Sequence, residues 1–254
     1  MELELLRYQG KTVHAAAELR RCTPADFADM AALQAAVHAA MPDPEQYVED
    51  TAGELLRDLA ESLCVGVWQG QTLIADAILR CCGTSEHNYA RVLGIPPSDW
   101  PYWANGDSAL VAPDWRGNHL QQIMMQWLCE NRAPSLIGIG CTVSPKNRYS
   151  LANVEKEGFV PVVRLEMYGG HDRWVLKKEL PPLPGRYRHF KGGEYRVLSL
   201  ATHSETRELM VVYQALYGER GIWVRPLSMW FAHIDRGDYH GPRFMWLDAD
   251  TDER

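Results

Sequence analysis

Five residues, Pro181-Pro182-Leu183-Pro184-Gly185, restrict this chain more than any other feature. Each proline removes a backbone donor and holds the residue before it extended, so neither a helix nor a central strand runs through the segment. The 254 residues are therefore divided there. The expected organisation is a first domain over 1–180, in which 1–17 form an extension, a linker at 181–185, and a small domain over 186–254.

The first part alternates strand and helix signals. Glu18 to Cys22 is a short strand, and Thr23-Pro24-Ala25-Asp26 reads as an N-cap, a proline at the first helical position and an acidic first turn. That helix runs to about Ala40, where Pro42 and Pro44 stop it, and Thr51 opens a second helix to Glu61 with Leu55, Leu56 and Leu59 on one face. Leu63 to Trp68 and Thr72 to Leu79 are strands joined across Gln69-Gly70-Gln71. Cys82 to Gly106 carries Gly, Pro, Trp and Tyr without periodicity, is longer than a simple connection, and reads as an active-site insertion. Beyond it come a strand from Ser108 to Val111, a turn from Asp114 to Asn118 and a helix from Leu120 to Asn131. Then follow a covered strand from Leu136 to Val143, a helix from Asn147 to Glu157 ended by Gly158, and a strand pair across Gly169-Gly170. In the second part, 195–200, 209–216 and 222–224 are rich in Val, Tyr and Leu and predict a small β-structure.

The order strand, turn, helix around Asp114 to Gln121 places a loop of backbone N–H groups at a helix start, where unpaired donors and the positive dipole end suit a diphosphate. The segment Val111-Ala-Pro113-Asp-Trp-Arg116-Gly117-Asn118-His119-Leu120-Gln121 resembles the coenzyme A loop of the GCN5-related N-acetyltransferase (GNAT) superfamily, with His119 where the family has its second glycine. A second block, Asn147 followed by Ser150, Asn153 and Gly158-Phe159, has the spacing of the family's next helix. Asn88 to Pro96 and Tyr168-Gly169-Gly170 with Arg173 look like a bacterial subgroup of it. The resemblance covers Glu18 to Leu180 and implies the GNAT fold of the α/β (α+β) class, a mixed, mostly antiparallel central sheet flanked by helices.

The same resemblance implies an acetyl-CoA-dependent N-acetyltransferase acting on a primary amine of a small molecule, amino acid or peptide. The cofactor positions it carries over are Leu110, Val111, Arg116, Gly117, Asn118, His119, Leu120, Gln121, Asn147, Ser150 and Asn153. The chemistry asks for a proton acceptor for the amine and a donor for the oxyanion. Asp107 is the candidate base, and equally a turn former after Asn105-Gly106. The Val111 N–H is the expected oxyanion donor. The family's thiolate-protonating tyrosine is replaced by Val154, which leaves Tyr149, Tyr168 and Ser144 as substitutes. His119 is open to a phosphate contact, although a His in a first helical turn is more often a partly exposed surface residue, and Asn147 reads as an N-cap compatible with a cofactor contact. Trp100, Tyr102 and Trp103 line a pocket or pin the loop to the core. The alternative to an enzyme is a catalytically weak acetyl-CoA-binding regulatory or recognition protein.

From Gly185 onward, Gly-Arg-Tyr-Arg-His-Phe-Lys-Gly-Gly-Glu-Tyr, Trp223-Val224-Arg225-Pro226 and Arg243-Phe244 resemble a small bacterial family of unknown function. Arg188, His203, Glu205, Tyr213 and Arg225 are the mixture a recognition pocket needs, or a buried network that fixes a small core.

A net charge of −7 argues against nucleic acid or anionic lipid as partner. The six cysteines sit mostly in apolar runs, no C-x-x-C pair exists, and neither a zinc site nor a disulfide framework has its spacing. The mixed N-terminal start and the absence of a long apolar window predict a cytoplasmic chain. Association into a homodimer stays open.

Overall fold

The computed structural model of the chain describes residues 1–8 and 12–249. They fall into two compact units, Met1–Arg132 with Gly138–Lys178, and Ala133–Ile137 with Glu179–Arg254. The division comes just before the proline segment. The excursion 133–137 belongs with the smaller unit, where the Leu180 N–H donates to the Ile137 carbonyl at 2.8 Å.

The larger unit is built on one eight-stranded sheet. Its strands are β1 (Glu2–Tyr8), β2 (Thr12–Arg21), β3 (Leu63–Gln69), β4 (Thr72–Arg80), β5 (Trp103–Val111), β6 (Gly138–Val143), β7 (Val160–Met167) and β8 (His171–Glu179). Their order is β1-β2-β3-β4-β5-β6-β8-β7. Neighbours from β1 to β5, and β7 with β8, run antiparallel, whereas β5 and β6 are parallel.

Residues 1–17, expected as an extension, supply β1 and most of β2, so β2 starts at Thr12 and not at Glu18. The run His14-Ala15-Ala16-Ala17 has little intrinsic strand preference. Tertiary pairing overrides it. Part of that pairing is a clasp: the Asn118 carboxamide accepts from the Leu6 N–H at 2.8 Å and donates to the Leu6 carbonyl at 2.7 Å.

Four helices accompany the sheet, α1 (Phe27–Ala39), α2 (Ala52–Glu61), α3 (Leu120–Asn131) and α4 (Arg148–Lys156). Thr51 and Glu54 form a capping box at the start of α2, each side chain bonded to the other residue's N–H. Met30, Leu33 and Val37 of α1 pack with Leu55 and Leu59 of α2 over Cys64, Leu73 and Ile78 of the sheet. Leu56, expected on the buried face, is 46% exposed. Successive residues lie about 100° apart on a helix, and Leu56 falls beyond the stripe of Leu55 and Leu59. On α3, Met124 and Leu128 are fully buried. No helix among the described residues is long and apolar enough to cross a membrane.

The smaller unit is β-rich. β9 (Gly185–His189), β10 (Glu194–Thr202), β11 (Leu209–Ala215), β12 (Ile222–Pro226) and β15 (Phe244–Asp248) form a sheet in the order β12-β11-β10-β9-β15. A four-residue helix α5 (Leu227–Trp230) and a hairpin of β13 (His233–Arg236) and β14 (Tyr239–Pro242) complete it. Its core is aromatic: the Trp230 ring stacks on Phe244 at 3.9 Å, and Tyr187 and Tyr213 meet Trp230 edge-on. The two edge-to-face contacts add to the one stacked pair in burying large rings in a small core.

Candidate active site

The parallel pairing of β5 with β6 covers only Trp103 to Gly106 against Gly138 to Cys141. Beyond Gly106 the two strands part, and Asp107 to Val111 faces the gap. On its other side β5 stays paired to β4, where Asp107 and Ser108 together oppose Ile78 in a bulge. A bulge re-aims side chains, and ligands of open α/β sheets collect at the carboxyl ends of parallel strands.

Hydrogen bonding alternates along an antiparallel strand. The Ala112 N–H donates to the Ile74 carbonyl of β4, so the Val111 N–H points the other way, into the gap. The Ala109 carbonyl faces the same side, where it accepts from Gln121 Nε2 at 3.0 Å. By the same alternation Leu110 turns its backbone groups to β4, and its side chain is buried in the α1–α2 core. Of the two strand positions expected to contact the cofactor, Leu110 offers the gap no polar group.

The loop before α3 has an unusual backbone. Gly117 lies at φ +87° and His119 at φ +57°, both left-handed. His119 is the N-cap, and its carbonyl accepts from Ile123. The N–H groups from Gly117 to Gln122 have no acceptor among the described residues. Six unpaired donors at a helix start are the kind of donor set an anion-binding nest requires. Arg116, Gly117 and His119 are exposed there, whereas Leu120 is buried beneath. The Asn118 side chain is committed to Leu6 and to the Trp115 carbonyl, leaving only its amide for a ligand.

Asp107 is not in a turn. It sits within β5, largely buried, 2.8 Å from the Arg80 guanidinium. Arg80 also holds Asp58, by Nε at 2.7 Å and by a second short contact, and Asp50 at 3.0 Å. The three carboxylates offer oxygens within 4.8 Å of one another, and the guanidinium among them plays the part a metal ion would otherwise play. Burial pushes the Asp107 carboxyl up to about 7; Arg80 opposes this, and Asp50 and Asp58 add to it. Near neutral pH it is therefore poised between acid and base.

From Asp107 a file of hydroxyls leads outward. Tyr89 Oη lies 3.5 Å from its carboxylate and bonds Tyr168 Oη, which lies 3.0 Å from Thr142 Oγ1. Tyr168 is 40% exposed and takes a left-handed backbone, φ +53°, before Gly169-Gly170. Tyr149, the other tyrosine candidate, is 88% exposed, and its hydroxyl makes no hydrogen bond among the described residues. Ser144 is buried, and its Oγ accepts from the Lys146 N–H at 3.3 Å. It lines a cavity of about 430 Å³ with Arg164, Gly169 and Arg173. Asn147 caps α4, its Oδ1 accepting from the Ser150 N–H at 3.0 Å. Asn153 reaches back to Gln121 Oε1 at 2.9 Å, so these two expected cofactor positions hold each other across α3 and α4.

Sequence reasoning left out Arg80, Tyr89 and Thr142. The signal for Tyr89 was its place in the block 88–96. Asn88 ties that block down through the carbonyls of Gly83, Trp100 and Trp103, and the Tyr89 N–H donates to Asn105 Oδ1. Gly140 gives Tyr89 its room, since a Cβ there would come within 2.9 Å of Tyr89 Cβ. Trp103 is buried against Gly138, whereas Trp100 and Tyr102 are half-exposed.

Residues 185–246 match the family described as a protein of unknown function, DUF1653. A DUF1653 protein from Bordetella bronchiseptica is 42% identical over 28% of this chain and 92% of its own, with a TM-score of 0.25. An acetyltransferase of the GNAT family from Streptococcus pneumoniae is 14% identical over 65% of this chain and 99% of its own (TM-score 0.49). The protein yncA from Salmonella typhimurium, solved with its cofactor acetyl-CoA, is 15% identical over 65% and 94% (TM-score 0.47). At such identities neither GNAT-type likeness decides substrate or mechanism. No curated protein matches the sequence.

Proposed function

We propose, for a chain whose C-terminal segment belongs to the DUF1653 family and whose larger unit follows the GNAT plan, that this larger unit is an acetyl-CoA-dependent N-acetyltransferase. The observation that carries the reading is the row of acceptor-free amides from Gly117 to Gln122, set beside the gap into which the Val111 N–H points. A diphosphate fits that row, because a helix start rewards negative charge and each phosphate oxygen accepts more than one N–H.

Acetyl-CoA, when bound, supplies an acetyl group activated as a thioester. Gly117, Asn118, His119, Leu120 and Gln121 would hold its diphosphate through their amides, with Arg116 adding charge. Val111 N–H stabilises negative charge that develops on an acyl oxygen. Asp107, as carboxylate, receives the proton of the attacking amine through Tyr89 and Tyr168, since its side chain is largely covered and Tyr168 stands at the exposed end of the file. Tyr168, with its hydroxyl at the exposed end of the file, would return a proton to a leaving thiolate, the role for which the chain has Val154 in place of tyrosine. Arg80 keeps Asp107 ionisable despite its burial. The acceptor is a primary amine of a small molecule, amino acid or peptide.

Thermal unfolding with acetyl-CoA tests the reading, since a ligand at a hundred times its Kd adds about 2.7 kcal/mol to stability. Gly117→Val, which puts a β-branched residue at φ +87°, is expected to reduce the shift at least tenfold in apparent affinity. No shift in the wild type removes the proposal. Binding without turnover over an amine panel would mark the unit as a cofactor sensor.

A further inference from the structure

We propose that the smaller unit carries a binding site for a small organic anion, its carboxylate or phosphate taken by Lys191 and Arg225 and its ring or apolar body by Tyr195 and Tyr217. This inference stands apart from the acetyltransferase reading, which concerns other residues.

A cavity of about 450 Å³ opens between the β9–β10 turn and β11–β12, within the usual size of small-molecule sites. Its walls are aromatic: Tyr195 meets Tyr213 and Tyr217 edge-on at centroid distances of 5.4 and 5.5 Å, and Phe244 closes one side. The Tyr195 and Tyr217 hydroxyls bond one another. Gly193 lets Tyr217 come this close, since a Cβ there would lie 2.9 Å from its ring.

The charge of the cavity is what calls for a ligand. Elsewhere on the same sheet arginines are neutralised: Arg186 pairs with Asp248, and Arg188 with Glu194 at 2.8 Å. Lys191, Arg225 and the neighbouring Arg243 have no carboxylate partner among the described residues. Arg225 spends only its Nε, on Tyr213 Oη at 3.3 Å, with its guanidinium 5.6 Å from the Phe244 ring. Its two terminal nitrogens have no hydrogen-bond partner among the described residues, and a guanidinium takes a carboxylate or phosphate through two bonds. Arg243 Nε is buried without a partner. His189 offers no counter-charge: its Nδ1 accepts from the Lys191 N–H at 3.3 Å, and burial, with Arg225, Arg243 and Lys191 close by, lowers its pKa from the ordinary imidazole value. Holding like charges together without a counter-ion costs stability, and an anionic ligand removes that cost.

Of the five polar residues expected to form either a pocket or a core network, only Tyr213 and Arg225 meet. His203 caps its own turn through Thr206, and Arg188 pairs with Glu194. The buried-network reading accounts for the Tyr213 bond, but not for the unpartnered terminal nitrogens or the open cavity that Arg225 lines.

Calorimetric titration of the full chain with phenyl phosphate, benzoate, inorganic phosphate and phenol tests the site. At least one of the two ring-bearing anions is expected to bind, and which one does so tells a phosphate ligand from a carboxylate. Arg225→Gln and Lys191→Gln are each expected to weaken it tenfold or more, while Gly117→Val leaves it unchanged. Lys191 is exposed, so its variant keeps the fold even should the Arg225 variant lose it, and a melting curve checks both. The proposal is overturned if neither anion binds at millimolar concentration, if phenol or inorganic phosphate binds as tightly as the better of them, or if Lys191→Gln has no effect.

Discussion

Arg80→Met is the sharpest perturbation of the larger unit, because it removes one cation and leaves three carboxylates facing one another. Asp58 is 3% exposed, Asp50 12% and Asp107 15%, so none of them reaches solvent freely. Breaking a buried ion pair by removing one partner costs about 3–5 kcal/mol, since the surviving charge is left without compensation. For a unit of this size that is a fall in Tm of roughly 6–20 °C at neutral pH. The loss is pH-dependent, with a sign that follows from proton uptake. Carboxyls whose pKa is raised in the folded state bind protons on folding, so the deficit is greatest above their folded pKa and shrinks as pH falls toward about 4. Differential scanning calorimetry of wild type and variant between pH 4 and 8 measures this directly. The double variant Arg80→Met, Asp58→Asn is expected to recover a substantial part of the loss, as residues in one network do not add. A deficit below about 1 kcal/mol, or one that is constant with pH, would refute the view that Arg80 is the counter-charge of this cluster.

Two further outcomes follow from buried carboxyls. With the Asp107 carboxyl at about 7, kcat/KM is expected to rise with pH through an inflection near 7, and Asp107→Asn to abolish turnover without weakening acetyl-CoA binding; retained turnover removes Asp107 from the mechanism. Asp76, fully buried on β4 with one oxygen lacking a partner, has its carboxyl pushed up to about 8 by burial, with Asp50 adding to it. The folded chain therefore holds that proton up to higher pH than the unfolded one, and stability falls as pH rises from about 4 to 8. Asp76→Asn is expected to flatten that slope in urea titrations at several pH values, and an unchanged slope would contradict the assignment.

Much of the framework was readable in one dimension because its signals are local. Proline at 181, 182 and 184, the helix start at Thr51, and the Gly70 and Gly169-Gly170 turns each act within a few residues. The amide loop at Arg116 to Gln121 was legible for the same reason, since a left-handed glycine and a helix start are properties of one short segment.

What the fold alone decided depends on residues far apart in the chain. Arg80 meets Asp50, Asp58 and Asp107 only because β4, α2 with the segment before it, and β5 converge, and Tyr89 meets Tyr168 across 79 positions. Local composition could not reveal that Asp107 lies in a bulged strand, that Asn118 clasps β1, or that Arg225 ends with its fork unpaired beside Lys191. Backbone geometry is set by neighbours in sequence, whereas charge compensation is set by neighbours in space, and the chemistry of both candidate sites rests on the second.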